Sequence, residues 1–297
     1  MARESRFRKP EFQEKLAKAR GYERAIRLGF GWKRGLALVL VLIAVYFLAV
    51  SHRFLVSTAV VSAPGPTTEQ IEDVLLRMQR DNLFYAIPKN HILILSKASL
   101  LSEIQKELPG VRSIKIFKKK WPNAIELAVE EREPLYVWHT GDKYFLLDQD
   151  GVVFQEIPSY TPEIFSQILI NDSSNAEVKN GESLPIGPIL AFIEQIRNNW
   201  SLDINQTNYD SFSIPGTKTQ DILVKTGIGF TVYFDLEREA PAQLENLKMM
   251  LNREIRPETY AGLSYIDLRL SHMAYYCYKD AVCAPEYKPP EAEIDNQ

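Results

Sequence analysis

Residues 35–50 form an unbroken apolar run that constrains the chain more than any other feature. Its sixteen positions include no charged or amide side chain, and as a helix it would span roughly 24 Å. Lys33 and Arg34 precede the run and Arg53 follows it. Long cationic side chains at such positions reach the polar surface of a bilayer from either end. The pattern therefore predicts a transmembrane helix over residues 35–53.

Charge is distributed unequally about this run. Residues 1–34 carry eleven Lys and Arg against four Glu, whereas the next twenty residues after the run carry only Arg53 and Glu69. Because positive loops stay on the cytoplasmic side, we expect a basic cytoplasmic tail over residues 1–34. The rest of the chain then lies outside the cell membrane, in the single-pass type II orientation. A cleaved signal peptide is the alternative, although its apolar region is usually shorter.

The exported part is acidic, because the formal net charge of the whole chain is −3 and the tail is strongly basic. Such a charge argues against a nucleic-acid partner, while the tail suits the anionic lipids of the cytoplasmic leaflet. Cys277 and Cys283 are the two cysteines. Outside the cytoplasm they can close a small disulfide loop or remain two separate thiols. We expect no metal, because no His or further Cys lies at ligand spacing.

Residues 54–133 combine helical and strand patterns. A β-rich segment precedes an amphipathic stretch, a second amphipathic stretch follows, and two alternating segments are joined by a Trp-Pro-Asn turn at residues 121–123. This order predicts a strand–helix–helix–strand–strand domain whose final hairpin carries Lys–Glu pairs on its wet face. The residues expected inside are Ile71, Val74, Leu75, Met78, Ile114, Ile116, Ile125, Leu127 and Val129. The second amphipathic stretch carries Leu100, Leu101, Ile104 and Leu108.

Residues 134–280 are richer in strand patterns. Two helical patterns interrupt the strands, and we expect a mainly antiparallel sheet with both helices packed on one face. The last segment, residues 281–297, has a high proline content and no apolar periodicity, which predicts a disordered tail. The expected strands are residues 135–139, 144–147, 152–154, 168–170, 211–214, 221–225, 230–234 and 264–270. The fold class is therefore α+β.

Asp148 and Asp150 resemble the metal-binding Asp-x-Asp of a glycosyltransferase, so a membrane-anchored glycan-modifying enzyme is one alternative. The competing interpretation is a hairpin turn, in which Asp150 and Gly151 supply positive φ angles. No HExxH or GxSxG motif is present. We expect no catalytic residue, no cofactor and no small-molecule substrate.

The end of the exported part is its most aromatic segment. Alternation over residues 263–270 predicts that Ile266, Leu268 and Leu270 point inward, with Arg269 on the other face. After a bend, residues 273–278 include three tyrosines and no Pro or acidic residue. At a sheet edge this segment can accept a strand from another chain. The alternative, that the tyrosines only close the last strand against the domain, stays open.

Three ordered motifs resemble the FtsQ/DivIB family of bacterial cell division proteins. The stretch 109–138 is similar to the end of that family's POTRA domain, 135–156 to the hairpin that follows it, and 263–270 to its Tyr-Ile-Asp-Leu-Arg strand. The residues that carry the first motif are Pro109, Val111, Trp121, Pro122, Asn123, Glu131, Arg132, Glu133, Pro134 and Trp138.

The resemblance implies a non-enzymatic scaffold at the division septum, with a POTRA domain over residues 54–133 and a β domain over 134–280. It also implies coiled-coil partners of the FtsB and FtsL type, bound by β-augmentation at the terminal strand, and further division proteins at the POTRA domain. A POTRA chaperone for polypeptide export is a third interpretation, although no repeat of barrel-forming strands follows. The partner-binding residues so implied are Arg269, Leu270, Tyr275, Tyr276 and Tyr278.

Overall fold

A computed structural model describes residues 32–47, 51–62, 65–83, 87–162, 166–200, 208–271 and 273–283. It has large β-sheets together with several helices, which confirms the α+β class. Most of the expected cytoplasmic tail and of the expected disordered tail lies outside the described residues.

The first helix, α1, covers residues 32–47 and exposes every one of its side chains. The Ser51 amide donates to the Phe47 carbonyl over 2.9 Å, and a 3₁₀ turn follows at His52–Phe54. Within the described residues, no helix combines the length and the hydropathy that crossing a bilayer requires. The anchor over residues 35–53 stays a prediction.

The chain divides into two compact units. Described residues within Met1–Val60, Thr68–Ser96 and Lys118–Glu126 belong to the first unit, and those within Val61–Thr67, Lys97–Phe117 and Leu127–Gln297 belong to the second. The boundary expected between residues 133 and 134 stays a prediction.

The strand–helix–helix–strand–strand order is present after the 3₁₀ turn. Three strands form a sheet of order β1-β5-β4. A short hairpin between the two helices, β2–β3, was not expected from the sequence. The elements are β1 (Thr58–Ser62), α2 (Thr68–Arg80), β2 (Asn82–Leu83), β3 (Ile87–Pro88), α3 (Lys97–Glu107), β4 (Val111–Lys120) and β5 (Ala124–Glu131).

Apolar periodicity explains which faces of these elements are buried. The predicted face of α2 is buried, as are Ile125, Leu127 and Val129 on β5. On β4 the prediction for Ile116 is wrong, because its side chain is exposed while Ile114 is buried. The buried positions of this edge strand, Val111 and Ile114, are three residues apart, so strict alternation does not hold along it.

The wet face of the β4–β5 hairpin carries the expected ion pairs. Lys115 Nζ lies 2.9 Å from Glu130, and Lys120 Nζ lies 2.9 Å from Glu126. Lys118 is 3.7 Å from Glu126. The hydrogen bond from Lys120 is the main cause of a lowered pKa at Glu126, and that from Lys115 is the main cause at Glu130. Such exposed pairs favour this register but add little to stability.

The remaining strands form a nine-stranded sheet of order β14-β13-β12-β11-β10-β9-β6-β7-β8. Five of its neighbouring pairs are antiparallel and three are parallel, so the sheet is mainly antiparallel. The strands are β6 (Tyr136–Thr140), β7 (Lys143–Leu147), β8 (Val153–Ile157), β9 (Ile168–Asp172), β10 (Tyr209–Ile214), β11 (Asp221–Thr226), β12 (Thr231–Asp235), β13 (Leu263–Asp267) and β14 (Tyr275–Tyr278).

Two helices, α4 (Gly187–Asn199) and α5 (Ala240–Arg253), cover one face of this sheet. Each begins with a proline at its first or second position, where the missing amide costs no hydrogen bond. Ile193 on α4 and Leu247 on α5 belong to one buried cluster with Trp138 and Phe234 of the strands. Val137, which points the other way on β6, belongs to a separate small cluster. The helices therefore pack on one face, as predicted.

Candidate sheet-edge interface

Strand β14 ends the nine-stranded sheet. It pairs antiparallel with β13, placing Tyr275 opposite Asp267 and Tyr276 opposite Ile266. Among the described residues, no strand pairs with the other side of β14. One side of β14 therefore pairs with β13, and the other side is an open edge of the sheet.

The chain between β13 and β14 departs from the predicted alternation. The Leu268 amide donates to the Tyr233 carbonyl over 3.0 Å, and the Leu268 side chain is 1% exposed. Leu270 was expected inside, but its side chain is 49% exposed. Because β13 ends at Asp267, the two-residue alternation no longer determines where Leu270 points.

Four apolar side chains are exposed at this end of the sheet, and we call them the edge patch: Leu270, Met273, Tyr275 and Tyr276. The Tyr275 hydroxyl lies 3.7 Å from the Met273 sulfur as a donor. Tyr275 and Tyr276 are 49% and 42% exposed, although neighbouring side chains on a strand point to opposite faces. The patch therefore offers aromatic area on both faces of the edge.

Tyr278 differs from its two exposed neighbours. Its side chain is half-buried against the main core cluster, and its hydroxyl lies 3.0 Å from Thr259 Oγ1. Its ring meets that of Tyr276 edge to face at 5.8 Å. Tyr278 thus fastens β14 to the domain and also supports the exposed ring of Tyr276.

Arg269 is bound to its own sheet. Its guanidinium donates to both oxygens of Asp267 and to Asp221 Oδ2, and it lies 5.0 Å from the centroid of the Tyr233 ring. The hydrogen bonds to Asp267, with the nearby charge of Asp221, raise the pKa of Arg269 above its usual value. Arg269 therefore stabilises the sheet next to this edge, a structural role that the resemblance to the family motif did not indicate.

Cys277 lies on β14, and Cys283 lies in the segment that follows this strand. The structure joins them as a disulfide, with their Cα atoms 6.1 Å apart. Cys277 is buried on β14, and the Lys279 amide donates to the Gly262 carbonyl over 2.9 Å. The short loop after β14 is therefore tied back to the domain.

Asp148 and Asp150 occupy the β7–β8 turn. Asp148 Oδ1 accepts from the amides of Asp150 and Val152 over 3.0 and 2.9 Å, and Gly151 has φ +73°. These contacts are those of a hairpin turn, as expected. The prediction of a positive φ at Asp150 is wrong, because Gly151 has the positive φ of this turn and Asp150 does not. No group of three or more metal-binding side chains occurs in the part of the chain that the structure describes.

Both turn carboxylates are paired with arginines that the sequence did not single out for this role. Arg132 Nη1 contacts Asp148 Oδ2, and the two side chains are only 10% and 3% exposed. Arg132 Nε also donates to the Pro109 carbonyl over 3.0 Å. Arg112 Nη2 donates to Asp150 Oδ2 over 2.9 Å in a more exposed pair. The aspartates therefore serve the packing of the turn.

The residues expected to flank the anchor lie in the first turn of the described part of α1 and in the 3₁₀ turn. Lys33 and Arg34 are the two in α1, and Arg53 is the one in the 3₁₀ turn. All three are exposed.

No family model and no curated protein matches the chain. Nine solved chains match it. One is the major extracytoplasmic domain of the trans isomer of the bacterial cell division protein DivIB from Geobacillus stearothermophilus. It is 11% identical, with a TM-score of 0.25, over 43% of this chain and 99% of that chain. A TM-score this low gives no information about the geometry of the sheet edge.

Proposed function

We propose that the chain is a non-enzymatic, membrane-anchored scaffold of the bacterial division machinery that binds a partner strand along β14. The observation that carries the proposal is the position of β14 at the end of the sheet, with exposed Tyr275 and Tyr276. An edge strand presents backbone amides and carbonyls that a further strand can pair with.

The chemistry of the edge suits a peptide partner. Backbone pairing supplies affinity, and pockets for alternate side chains supply specificity. Tyrosine adds a large, rigid apolar surface together with a hydroxyl, so it is common at interfaces. Residues 273–278 include no lysine, proline or acidic residue, which are the groups that natural proteins use to block edge pairing.

The division role rests on the sequence motifs at 109–138, 135–156 and 263–270, which resemble those of the FtsQ/DivIB family. That resemblance makes a small coiled-coil partner of the FtsB or FtsL type the ligand we propose for β14. It also supports a location at the division septum, with further division proteins bound at the POTRA-like region.

Membrane anchoring is supported by α1. Its described residues are apolar from 35 to 47, and every side chain there is exposed. A helix that is apolar on all sides needs an apolar environment. The excess of Lys and Arg before it favours a cytoplasmic N-terminus.

The test is site-specific photo-crosslinking in cells that express the full chain. A photoreactive side chain at Tyr275 or Tyr276 should capture an FtsB-type partner, and the same group at Gln155, on the opposite sheet edge, should not. Tyr276→Lys should reduce co-purification of the partner at least tenfold, whereas the matched variant Gln155→Lys should not change it. Unaltered capture by Tyr276→Lys, or equal crosslinking from both edges, would refute the proposal.

Tyr278 is unsuitable for that test, because its half-buried ring and its hydrogen bond to Thr259 support the fold. A fluorescent fusion of the full chain gives a second readout. It should form a band at mid-cell, and an even distribution around the envelope would contradict the division role.

A further inference from the structure

The tip of the β4–β5 hairpin lies against the segment that follows the predicted anchor. The Ser57 amide donates to the Asn123 carbonyl over 3.1 Å. The rings of Phe54 and Trp121 meet edge to face with centroids 5.7 Å apart. Phe54 directly follows Arg53, the last residue of the predicted span, and successive Cα atoms are only about 3.8 Å apart.

The turn at residues 91–94 also packs against Phe54. The Ile92 amide donates to the Phe54 carbonyl over 2.8 Å, and the His91 ring lies 6.0 Å from that of Phe54. Lys119 Nζ lies 3.5 Å from the Leu93 carbonyl. Three segments distant in sequence thus meet where the chain would leave the bilayer.

We call this the proximal surface, and it combines apolar and cationic groups. The Trp121 side chain is 60% exposed, and Leu93 and Ile94 are also exposed. Lys118, Lys119 and Lys120 follow one another at the hairpin tip and are all exposed. Glu126 is the acidic residue paired with Lys118 and Lys120, so the tip retains a positive charge.

We infer that the proximal surface binds the headgroup layer of an anionic bilayer. Tryptophan is enriched at the membrane interface, and clustered lysines are attracted to anionic lipid headgroups. A bilayer is favoured over a protein partner because the surface begins one residue after the predicted span. The inference rests on the membrane anchor proposed above and is independent of the β14 edge.

The test uses the full chain inserted into vesicles of phosphatidylethanolamine with phosphatidylglycerol, or of phosphatidylcholine alone. Subtracting the emission of a Trp121→Phe variant isolates the Trp121 signal from the other three tryptophans. Lipids brominated close to the headgroup should quench this signal and shield it from aqueous acrylamide, more strongly in the anionic vesicles. Lys119→Glu should lower the quenching of Trp121 by the brominated lipids about fivefold or more. Lys225→Glu, the same charge change on β11, should not lower it.

Each result decides one point. A chain that fails to float with the vesicles overturns the anchor and this inference together. A chain that floats but keeps Trp121 open to acrylamide overturns the inference alone, and the surface then faces solvent or a protein. Equal quenching in both vesicle types would overturn the recognition of anionic lipid. None of these measurements depends on partner capture by β14.

Discussion

The guanidinium of Arg269 donates hydrogen bonds to both carboxylate oxygens of Asp267, over 2.9 and 2.6 Å. Asp267 is the last residue of β13, so this contact holds the chain at the point where it turns towards β14. A third bond, to Asp221 over 3.2 Å, connects the turn to β11. The partner strand we propose would therefore bind next to a turn that the hydrogen bonds of Arg269 stabilise.

Replacing Arg269 by Ala should lower the free energy of unfolding by about 1–3 kcal/mol, because it removes charge-assisted hydrogen bonds that are partly buried. Denaturant unfolding of the full chain in a mild detergent measures this loss. Lys143→Ala is the control, since its pair with Glu156 is exposed and should contribute less than about 1 kcal/mol. Loss of partner capture with unchanged stability would instead make Arg269 a direct contact.

Breaking the buried pair of Arg132 and Asp148 should cost far more stability than breaking the exposed pair of Arg112 and Asp150. Arg132→Met leaves a buried carboxylate without its cation and should cost about 3 kcal/mol. Arg112→Met breaks the exposed pair with Asp150 and should cost less than about 1 kcal/mol. Thermal unfolding of the two variants compares them directly, and equal losses would be inconsistent with the difference in burial.

The disulfide should stabilise the end of β14. It closes a loop with a sequence separation of 6, for which the loss of chain entropy in the unfolded state amounts to about 2 kcal/mol. Cys283→Ser should therefore lower the unfolding midpoint, and so should a reducing agent acting on the unmodified chain. The reducing agent should not lower the midpoint of Cys283→Ser any further, and an added loss there would point to another cause.

Glu130 should make a pH-dependent contribution to the stability of the β4–β5 hairpin. Its pKa is lowered, mainly by the hydrogen bond from Lys115 and then by that from Ser113. Because the folded-state pKa lies below the unfolded value, the contribution is present above about pH 4.5 and is lost as the pH falls through the folded pKa. Lys115→Gln should raise the pKa of Glu130 in a carboxyl-detected NMR titration. Lys106→Gln, which affects a different pair on α3, should leave it unchanged.

Local pattern was enough to predict most elements of this chain. Period-two alternation placed Ile125, Leu127 and Val129 inside, and helical spacing placed Ile71, Val74, Leu75 and Met78 inside. The positive φ of Gly151 in the β7–β8 turn was also recognisable, because such angles favour glycine, although the same expectation for Asp150 was wrong. These features depend on neighbours within a few residues, so the sequence alone specifies them.

Other features depend on which distant segments meet, and only the tertiary structure decided them. Alternation could not show that β9 inserts between β6 and β10, or that β14 ends the sheet. It wrongly placed Leu270 inside, because a residue beyond the end of a strand no longer follows the strand's alternation. The meeting of Phe54 with Trp121 and the bracing of Arg269 by Asp221 also join residues far apart in sequence. Periodicity reports whether a side chain is buried, whereas the identity of its neighbours is set by packing of the whole chain.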